Sequence, residues 1–258
     1  MNNILDTILE VKRKEVLSLA DVNGNRDIYG PFFNRNTVSF RQALENSDTG
    51  IIAEFKRKSP SKGWISENAD AVTIVQSYQN AGASAVSILT DSMFFGGSAE
   101  DLILCRSNVS LPILRKEFII DPLQVYQSKA MGADVILLIA SALTPYKVSN
   151  LASVAHSIGL EVLLEIHNEF ELGHICPDID VVGVNNRNLS TFQVSLDNSY
   201  GLALKIPEGY TIISESGISD TSAVKNLRKS GYKGFLMGEN FMKTNNPGET
   251  LAGFIKNL

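Results

Sequence analysis

The chain has 258 residues, of which 44% are hydrophobic, and this is enough to build one large core. Its formal net charge of −5 argues against a nucleic-acid-binding protein, which usually carries a basic balance. The longest apolar run, residues 135–140, is far too short to cross a bilayer, so no membrane association is expected.

The first 48 residues predict a helical extension ahead of the main domain. Apolar residues recur at roughly helical spacing from Ile4 to Val16, with charged residues between them. No basic segment precedes an apolar core here, so the N-terminus does not resemble a signal peptide. A second short helix is predicted after Ser39, because Ser39 and Gln42 form a capping-box pattern. We interpret residues 1–258 as a single domain in which residues 1–48 form a covering extension.

From residue 51 onward, apolar segments typical of strands alternate with amphipathic segments typical of helices. The predicted strands are 51–56, 85–90, 112–117, 134–140, 161–166, 181–185, 210–215 and 234–238. The predicted helices lie near 71–81, 98–107, 122–131, 145–158, 168–174, 197–204, 219–230 and 248–257. Four glycines follow helices where a left-handed C-cap belongs: Gly82, Gly132, Gly159 and Gly231. Thr144 and Ser219 are candidate N-caps.

Strict alternation of eight strands and eight helices implies parallel pairing with right-handed crossovers. The economical closure of this pattern is an α/β fold of the (β/α)8 TIM barrel type with an N-terminal helical extension. The competing fold is a doubly wound open sheet. That fold normally shows a GxGxxG turn after its first strand, whereas residues 56–63 contain a single glycine.

Polar side chains follow most of the predicted strands, at the end of a barrel where active sites are found. In order along the chain they are Glu54, Lys56, Ser59, Lys116, Glu165, Asn185, Arg187, Glu215, Ser216 and, directly after Gly238, Glu239. Charged residues at the ends of apolar strands are costly if they are buried without partners. A catalytic site explains them, and so does a structural network of ion pairs that closes the barrel mouth.

The last two strands predict a phosphate site. Ser216-Gly217 and Gly238-Glu239 are short turns that open onto helices. Glycine lets backbone N–H groups approach an anion, and a helix N-terminus adds a favourable dipole. The loops after strands 7 and 8 are the usual phosphate site of this architecture. The alternative is that these glycines serve only to make tight turns.

Six segments taken together resemble the indole-3-glycerol phosphate synthase family. They are IAEFKRKSPSKG (52–63), LRKEFIID (114–121), LLEIH (163–167), GVNNRNL (183–189), ISESGI (213–218) and FLMGENFM (235–242). The N-terminal ILDTILEVKRKEV and the segment ILTDSMFFGGSAEDL at 88–102 are similar to that family as well. The resemblance covers essentially the whole chain in the right order.

The resemblance implies an enzyme that closes 1-(2-carboxyphenylamino)-1-deoxyribulose 5-phosphate into indole-3-glycerol phosphate, with release of CO2 and water. It implies a step of tryptophan biosynthesis that needs no metal and no organic cofactor. The family's residues fall on Glu54, Lys56, Ser59, Lys116, Glu165, Asn185, Ser216 and Gly217, with Arg187, Phe95 and Phe118 at further pocket positions. A fused second enzyme is not expected in this chain.

The chemistry of this reaction suggests a role for each residue type. Lys116 is the candidate general acid for the ketone oxygen, and Glu165 is the candidate base, with Glu54 and Asn185 positioning and polarising. A lysine acid works best with a lowered pKa, and Lys56 could supply the repulsion that lowers it. Which of the two lysines donates in each step stays open.

The remaining assignments concern the substrate's ends. Substrate contacts are expected from Ser59, Arg187, Glu215 and Ser216, and phosphate contacts from Lys56, Ser216, Gly217, Gly238 and Glu239. Phe95 and Phe118 would flank the aryl ring, although core packing explains each of them equally well.

Glu239 stands where many relatives carry a small hydroxyl residue. A carboxylate would repel the phosphate, so only backbone contacts are expected there. Trp64 is a candidate cover for the pocket or a plain surface anchor. The histidines and the two cysteines, Cys105 and Cys176, match no metal spacing, and a reducing cytoplasm suits free thiols.

Two rival functions compete with this assignment. A sugar-phosphate isomerase on the same fold would need a Cys/Asp acid–base pair at the strand ends, where this chain has Glu54, Lys56 and Lys116. A catalytically silent barrel that binds a phosphorylated metabolite is the second rival. The expected partner is a small phosphorylated substrate, with no nucleic acid and no membrane, and the expected state is a monomer or a weak homodimer.

Overall fold

The computed structural model describes residues 4–21, 30–188 and 191–258. Eight parallel strands close into a barrel, as the alternating pattern predicted. They are β1 Ile51–Phe55, β2 Ala85–Leu89, β3 Ile113–Lys116, β4 Val135–Ile139, β5 Glu161–Ile166, β6 Val181–Asn185, β7 Thr211–Glu215 and β8 Gly234–Met237. Each strand pairs with its neighbours in sequence, and β1 pairs with both β2 and β8, which closes the barrel.

The helices lie around the barrel and at its two ends, and two of them precede β1. They are α1 Ile4–Asp21, α2 Phe40–Glu45, α3 Ala71–Asn80, α4 Ser92–Phe95, α5 Ala99–Asn108, α6 Pro122–Met131, α7 Pro145–Ser157, α8 Asp197–Ala203, α9 Thr221–Lys229, α10 Glu239–Met242 and α11 Pro247–Lys256. No helix among the described residues combines the length and apolar character needed to span a bilayer.

Two separate apolar layers result from the period of the strands. Residues that point outward from the strands pack against the helices. Residues that point inward, such as Ile52, Leu114 and Leu163, fill the barrel together with Phe40 and Leu44 of α2. The inward face of β1, β3 and β5 continues upward to Glu54, Lys116 and Glu165, so the polar groups begin where the apolar filling ends.

The extension predicted for residues 1–48 contains the two expected helices, within its described residues. Ser39 is the N-cap of α2, and its side chain accepts a hydrogen bond from the Gln42 N–H at 3.1 Å. The Arg41 N–H donates to Glu161 at 2.8 Å, which holds α2 against the bottom of the barrel. Helix α1 lies instead at the opposite end, where its residues line a pocket at the barrel mouth.

Most element boundaries lie within one or two residues of those predicted, and the differences are local. The predicted helix 168–174 is a 3-10 helix, Glu169–His174. The predicted cap Ser219 is wrong, because the side chain of Asp220 accepts from the Ala223 N–H at 2.9 Å and α9 begins only at Thr221. The expected left-handed glycines are confirmed, for example Gly132 with φ +96°. The short helices α4 and α10 were not predicted.

Candidate active site

The polar residues predicted at the strand ends meet in one pocket at the C-terminal mouth of the barrel. Twelve of the predicted site residues line it: Glu54, Lys56, Ser59, Phe95, Lys116, Phe118, Glu165, Asn185, Arg187, Glu215, Ser216 and Glu239. Parallel strands point their carboxyl ends the same way, so residues far apart in sequence become neighbours. Gly217 and Gly238 lie in the turns beside the pocket and do not line it.

Lys116 is the centre of the charged cluster. Its Nζ donates to Glu165 Oε2 at 3.0 Å and to Glu215 Oε2 at 2.6 Å. Burial favours the neutral amine, but the carboxylates of Glu165, Glu215 and Glu54 outweigh burial and raise the pKa of Lys116 above its usual range. The expectation of a lowered pKa is therefore wrong for the free protein, since its neighbours are carboxylates and not cations.

The pKa values of the two carboxylates beside Lys116 shift in opposite directions. Burial raises the pKa of both, but Lys116 and His167 hold the pKa of Glu165 well below its ordinary value. Burial and the carboxylates of Glu165 and Glu54 raise the pKa of Glu215 to about 7, although Lys116 acts as its counterion. Its Oε1 has no hydrogen-bond partner among the described residues. One carboxylate is thus held ionised, and the other can exchange a proton near neutral pH.

Two glycines make room for these carboxylates. A Cβ at Gly183 in β6 would collide with Glu215 Oε1, and a Cβ at Gly238 would come within 2.9 Å of Glu54 Cβ. Glu54 in turn accepts a hydrogen bond from Lys56 Nζ at 2.6 Å. The pocket therefore holds two lysines, each paired with at least one carboxylate.

One side of the pocket is apolar. The rings of Phe95 and Phe118 lie with their centroids 5.9 Å apart. The other apolar residues of the lining come from α1, from the barrel strands and from the segment after β6: Ile4, Leu5, Ile8, Leu89, Leu137, Ile139, Phe192 and Leu236. A flat aromatic ring fits such a wall.

The turn after β7 has an unusual backbone that the sequence did not reveal. Ser216 has φ +64° and Gly217 has φ +79°, so a residue with a side chain adopts a left-handed conformation here. The buried Asn186 holds this turn by donating from Nδ2 to Glu215 O at 3.0 Å and to Ser216 O at 3.1 Å. These bonds use carbonyl oxygens of the turn rather than its N–H groups.

The rim of the pocket carries further charges. Lys62 pairs with Glu239, whose pKa is lowered by Lys62, Lys56 and Arg187 in spite of partial burial. The Glu239 carboxylate thus has a cation of its own. Asn185 Oδ1 accepts from the Arg187 N–H at 3.0 Å and so fixes the chain leaving β6. Trp64 does not line the pocket; it is half exposed, with Lys58 Nζ 5.4 Å from its ring centroid.

Three residues that the sequence patterns did not single out support the site. Asn186 and His167 stand inside the family-like segments, but nothing in a strand period assigns them a partner. The third is Lys12, which is 1% exposed in α1. Its position seven residues after Leu5 on the apolar face of α1 was the available signal.

Lys12 joins α1 to the segments that carry the aromatic wall. Its Nζ lies 2.7 Å from Asp91 Oδ2 and 3.0 Å from Glu117 Oε1. Asp91 also caps α4 by accepting from the Phe94 and Phe95 N–H groups. Glu117 directly precedes Phe118 in the chain. A single buried ammonium therefore links the covering helix to both phenylalanines of the wall.

No group of three or more His, Cys, Asp or Glu residues in the described part of the chain is arranged to hold a metal ion. Lysine, carboxylate and amide groups are the polar chemistry that the pocket offers. Such groups can donate and accept protons and can hold anions.

Comparisons with known proteins identify the family of this chain. The sequence model of a family described as indole-3-glycerol phosphate synthase matches residues 5–254. A protein of that name from Bacteroides thetaiotaomicron is 57% identical over 218 residues, which cover 84% of each chain. Another from Bordetella pertussis is 40% identical over 261 residues, covering 99% of this chain and 100% of its own.

Solved structures share the barrel at low sequence identity. The crystal structure of KGPDC from Streptococcus mutans aligns with a TM-score of 0.62 at 14% identity, covering 80% of this chain and 95% of that one. The tryptophan synthase complex from Pyrococcus furiosus aligns with a TM-score of 0.60 at 15% identity, covering 81% and 97%. At these identities the likeness concerns the fold alone.

Proposed function

Because the chain belongs to the indole-3-glycerol phosphate synthase family, we propose that the side chains at the mouth of its barrel carry out that family's ring closure. The enzyme is a carboxy-lyase of tryptophan biosynthesis. It converts 1-(2-carboxyphenylamino)-1-deoxyribulose 5-phosphate into indole-3-glycerol phosphate, CO2 and water. The roles of the individual residues are part of this proposal.

The observation that supports these roles most directly is the buried Lys116 ammonium between two carboxylates. Its raised pKa means that Lys116 carries its proton when the substrate arrives. A substrate that displaces Glu215 from the ammonium removes one of the charges that hold this pKa up. The proton of Lys116 then becomes easier to give to the substrate.

Lys116 is the general acid in this scheme. The ring carbon that bears the carboxylate attacks the ketone carbon, and Lys116 donates a proton to the ketone oxygen as the bond forms. The resulting cationic intermediate loses CO2. The hydroxyl then takes a second proton from a lysine of the pocket and leaves as water, and Glu165 accepts a proton from the methylene carbon beside the ring nitrogen, so that the indole keeps its N–H. Glu54 and Asn185 position and polarise the reacting groups, and Glu54 also holds Lys56.

The rest of the pocket binds the two ends of the substrate. The turns Ser216-Gly217 and Gly238-Glu239 take the phosphate through backbone N–H groups, and Lys56 adds a cation. Ser59, Arg187 and Glu215 contact the sugar and the anionic groups. The aryl ring lies against Phe95 and Phe118, whose separation suits the flank of one ring. The side chain of Glu239 takes no part, because Lys62 already occupies it.

The test is turnover of the carboxyphenylamino-deoxyribulose phosphate, followed by indole fluorescence and CO2 release. We expect Lys116→Met to lower kcat by about 100-fold or more while leaving substrate binding within a few-fold. The matched control is Lys229→Met, which removes an exposed lysine of α9 that does not line the pocket. Unchanged turnover in Lys116→Met would remove Lys116 from the mechanism. Binding without turnover by the unaltered protein would favour the silent barrel.

We further propose that the enzyme works in the cytoplasm as a monomer or a weak homodimer. Both cysteines, Cys105 and Cys176, are free thiols, which fits a reducing compartment. Sedimentation at several protein concentrations tests the oligomeric state. A dimer that persists at nanomolar concentration would contradict this part of the proposal.

A further inference from the structure

His167 lies directly after β5 with a carboxylate facing each of its ring nitrogens. Nε2 is 3.3 Å from Glu165 Oε1, and Nδ1 is 3.4 Å from Glu171 Oε2. The side chain is 11% exposed. Nε2 makes no hydrogen bond within the described residues, so Glu165 faces it as an ion-pair partner. An imidazole between two carboxylates can satisfy both only when both nitrogens carry a proton.

Glu171 is itself held in place, so the position of the imidazole is defined. Its Oε2 accepts the backbone N–H of His167 at 2.7 Å, and its Oε1 accepts Asn168 Nδ2 at 2.8 Å. These bonds lie within the turn that leads into the 3-10 helix Glu169–His174. His174 on that helix contacts the carbonyl oxygens of Glu171 and Leu143 instead. The hydrogen bonds of this turn therefore fix the position of the His167 ring.

The two oxygens of Glu165 have different cations. Oε2 accepts from Lys116, and Oε1 faces His167. Beyond Lys116 lie Glu215 of β7 and Glu54 of β1, which complete the set of charged groups around Glu165. Positive and negative groups thus alternate from Glu171 to Glu215. When Lys116 gives its proton to the substrate, His167 is the cation that remains beside Glu165.

We propose that His167 is a positioning residue of the ring closure, whose imidazolium keeps the Glu165 carboxylate ionised and oriented while Lys116 acts as the acid. This inference rests on the proposed function, because it requires Glu165 to take part in that reaction. His167 does not line the pocket, so it acts through Glu165 and not on the substrate. Glu171 is the anchor of the imidazolium.

The charge state of His167 can be measured without substrate. Burial disfavours the imidazolium, but Glu165 and Glu171 outweigh burial and raise the pKa of His167 to about 10. The chain has three histidines, so a spectrum of 15N-labelled histidine rings is simple to assign with His167→Gln. We expect one ring to stay doubly protonated above pH 9, and Glu165→Gln or Glu171→Gln to lower its pKa. A His167 ring that titrates near 6.5 in the unaltered protein would overturn the inference.

The second measurement is the pH dependence of turnover in His167→Gln. Loss of the imidazolium raises the pKa of Glu165, so the acid limb of the kcat profile should move to higher pH by about one unit or more. Glu165 is still ionised at pH 7 after a shift of this size, so the loss of its orientation should account for a fall of about tenfold or more in kcat at that pH. KM should change little, because His167 lies outside the pocket lining. Glu171→Gln should shift the same limb by a smaller amount, since it leaves the imidazole in place.

His174→Gln is the matched control, because it alters a histidine of the 3-10 helix that follows His167, and the ring nitrogens of His174 face backbone carbonyl oxygens instead of carboxylates. A purely structural role for the segment would give both variants the same loss of thermal stability with no shift of the acid limb. That result would overturn the inference, as would an unchanged profile in His167→Gln. If His167→Gln does not fold, Glu171→Gln and the ring titration decide the question. Failure of the unaltered protein to turn over the substrate would instead refute the proposed function.

Discussion

Glu215→Gln should make the stability of the protein fall less as the pH rises, and it should lower activity. The side chain of Glu215 is 1% exposed, and its pKa is raised from 4.5 to about 7. The unfolded chain releases this proton near pH 4.5, whereas the folded protein keeps it until about pH 7. The folded state therefore binds more protons between these values, so the stability that Glu215 contributes is lost as the pH rises through that window.

The size of the effect follows from the shift. Between pH 5 and pH 8 the contribution of Glu215 should fall by about 2 to 3 kcal/mol. A glutamine at this position does not titrate. The free energy of unfolding of Glu215→Gln, relative to that of the unaltered protein, should therefore be higher at pH 8 than at pH 5 by about that amount. For a chain of this size the gain corresponds to roughly 5 to 10 °C in melting temperature. Other titrating groups are common to both proteins and largely cancel.

The assay is urea unfolding of both proteins at pH 5 and pH 8, with thermal melts as a second readout. Glu117→Gln is the matched control, because Glu117 is buried at the end of β3 as Glu215 is at the end of β7. Unlike that of Glu215, the pKa of Glu117 is held below the ordinary value despite burial, by Arg115 and Lys12. That control should lose stability at both pH values. The reasoning would be refuted if the difference in free energy of unfolding between Glu215→Gln and the unaltered protein were the same at pH 5 and pH 8. The kcat of Glu215→Gln should fall, because a glutamine cannot exchange a proton near neutral pH as Glu215 can.

Three further substitutions test the supports of the site. Lys12→Met leaves Asp91 buried without its cation and Glu117 with Arg115 as its remaining cation, at a cost of up to about 3 to 5 kcal/mol. It should expose α1 to protease and raise KM, whereas Lys14→Met on the exposed face should not. Asn186→Ala removes the hydrogen bond to the Ser216 carbonyl oxygen and should raise KM. Urea titrations should show a free energy of unfolding lower by about 1 to 3 kcal/mol. An unchanged affinity for inorganic phosphate would contradict the role of this turn. Gly183→Ala places a methyl group against Glu215 and should lower kcat. The aryl wall should not move, so the affinity for a competitive anthranilate analogue should stay the same. Full activity would contradict the contact.

The alternation of strands and helices is readable from the sequence because each element carries its own period. The strand period also places Glu54, Lys116 and Glu165 on the inward face, and the usual location of barrel active sites puts them at one mouth. The helix caps at Gly132 and Thr144 are likewise local, since the capping groups are neighbours in the chain. Ser219 fails as a cap because the adjacent Asp220 has the stronger acceptor.

The pKa of Lys116 could not be predicted from the chain. The sequence offers Lys56 as a cationic neighbour, but in space the closest charges come from β5 and β7, 49 and 99 residues away. The same limit applies to Lys12, whose partners lie on the loops after β2 and β3. A sequence shows that a charge sits at a strand end but not which other charge faces it.

The sequence by itself determined the barrel, the family and the pocket residues, because these depend on local periodicity and on motifs kept in one order. Only the tertiary structure decided how the charges pair: Lys116 between Glu165 and Glu215, His167 between Glu165 and Glu171, and Lys12 between Asp91 and Glu117 under α1. Pairing depends on distances of about 3 Å between residues that are mostly far apart in the chain, and closure of the barrel sets those distances.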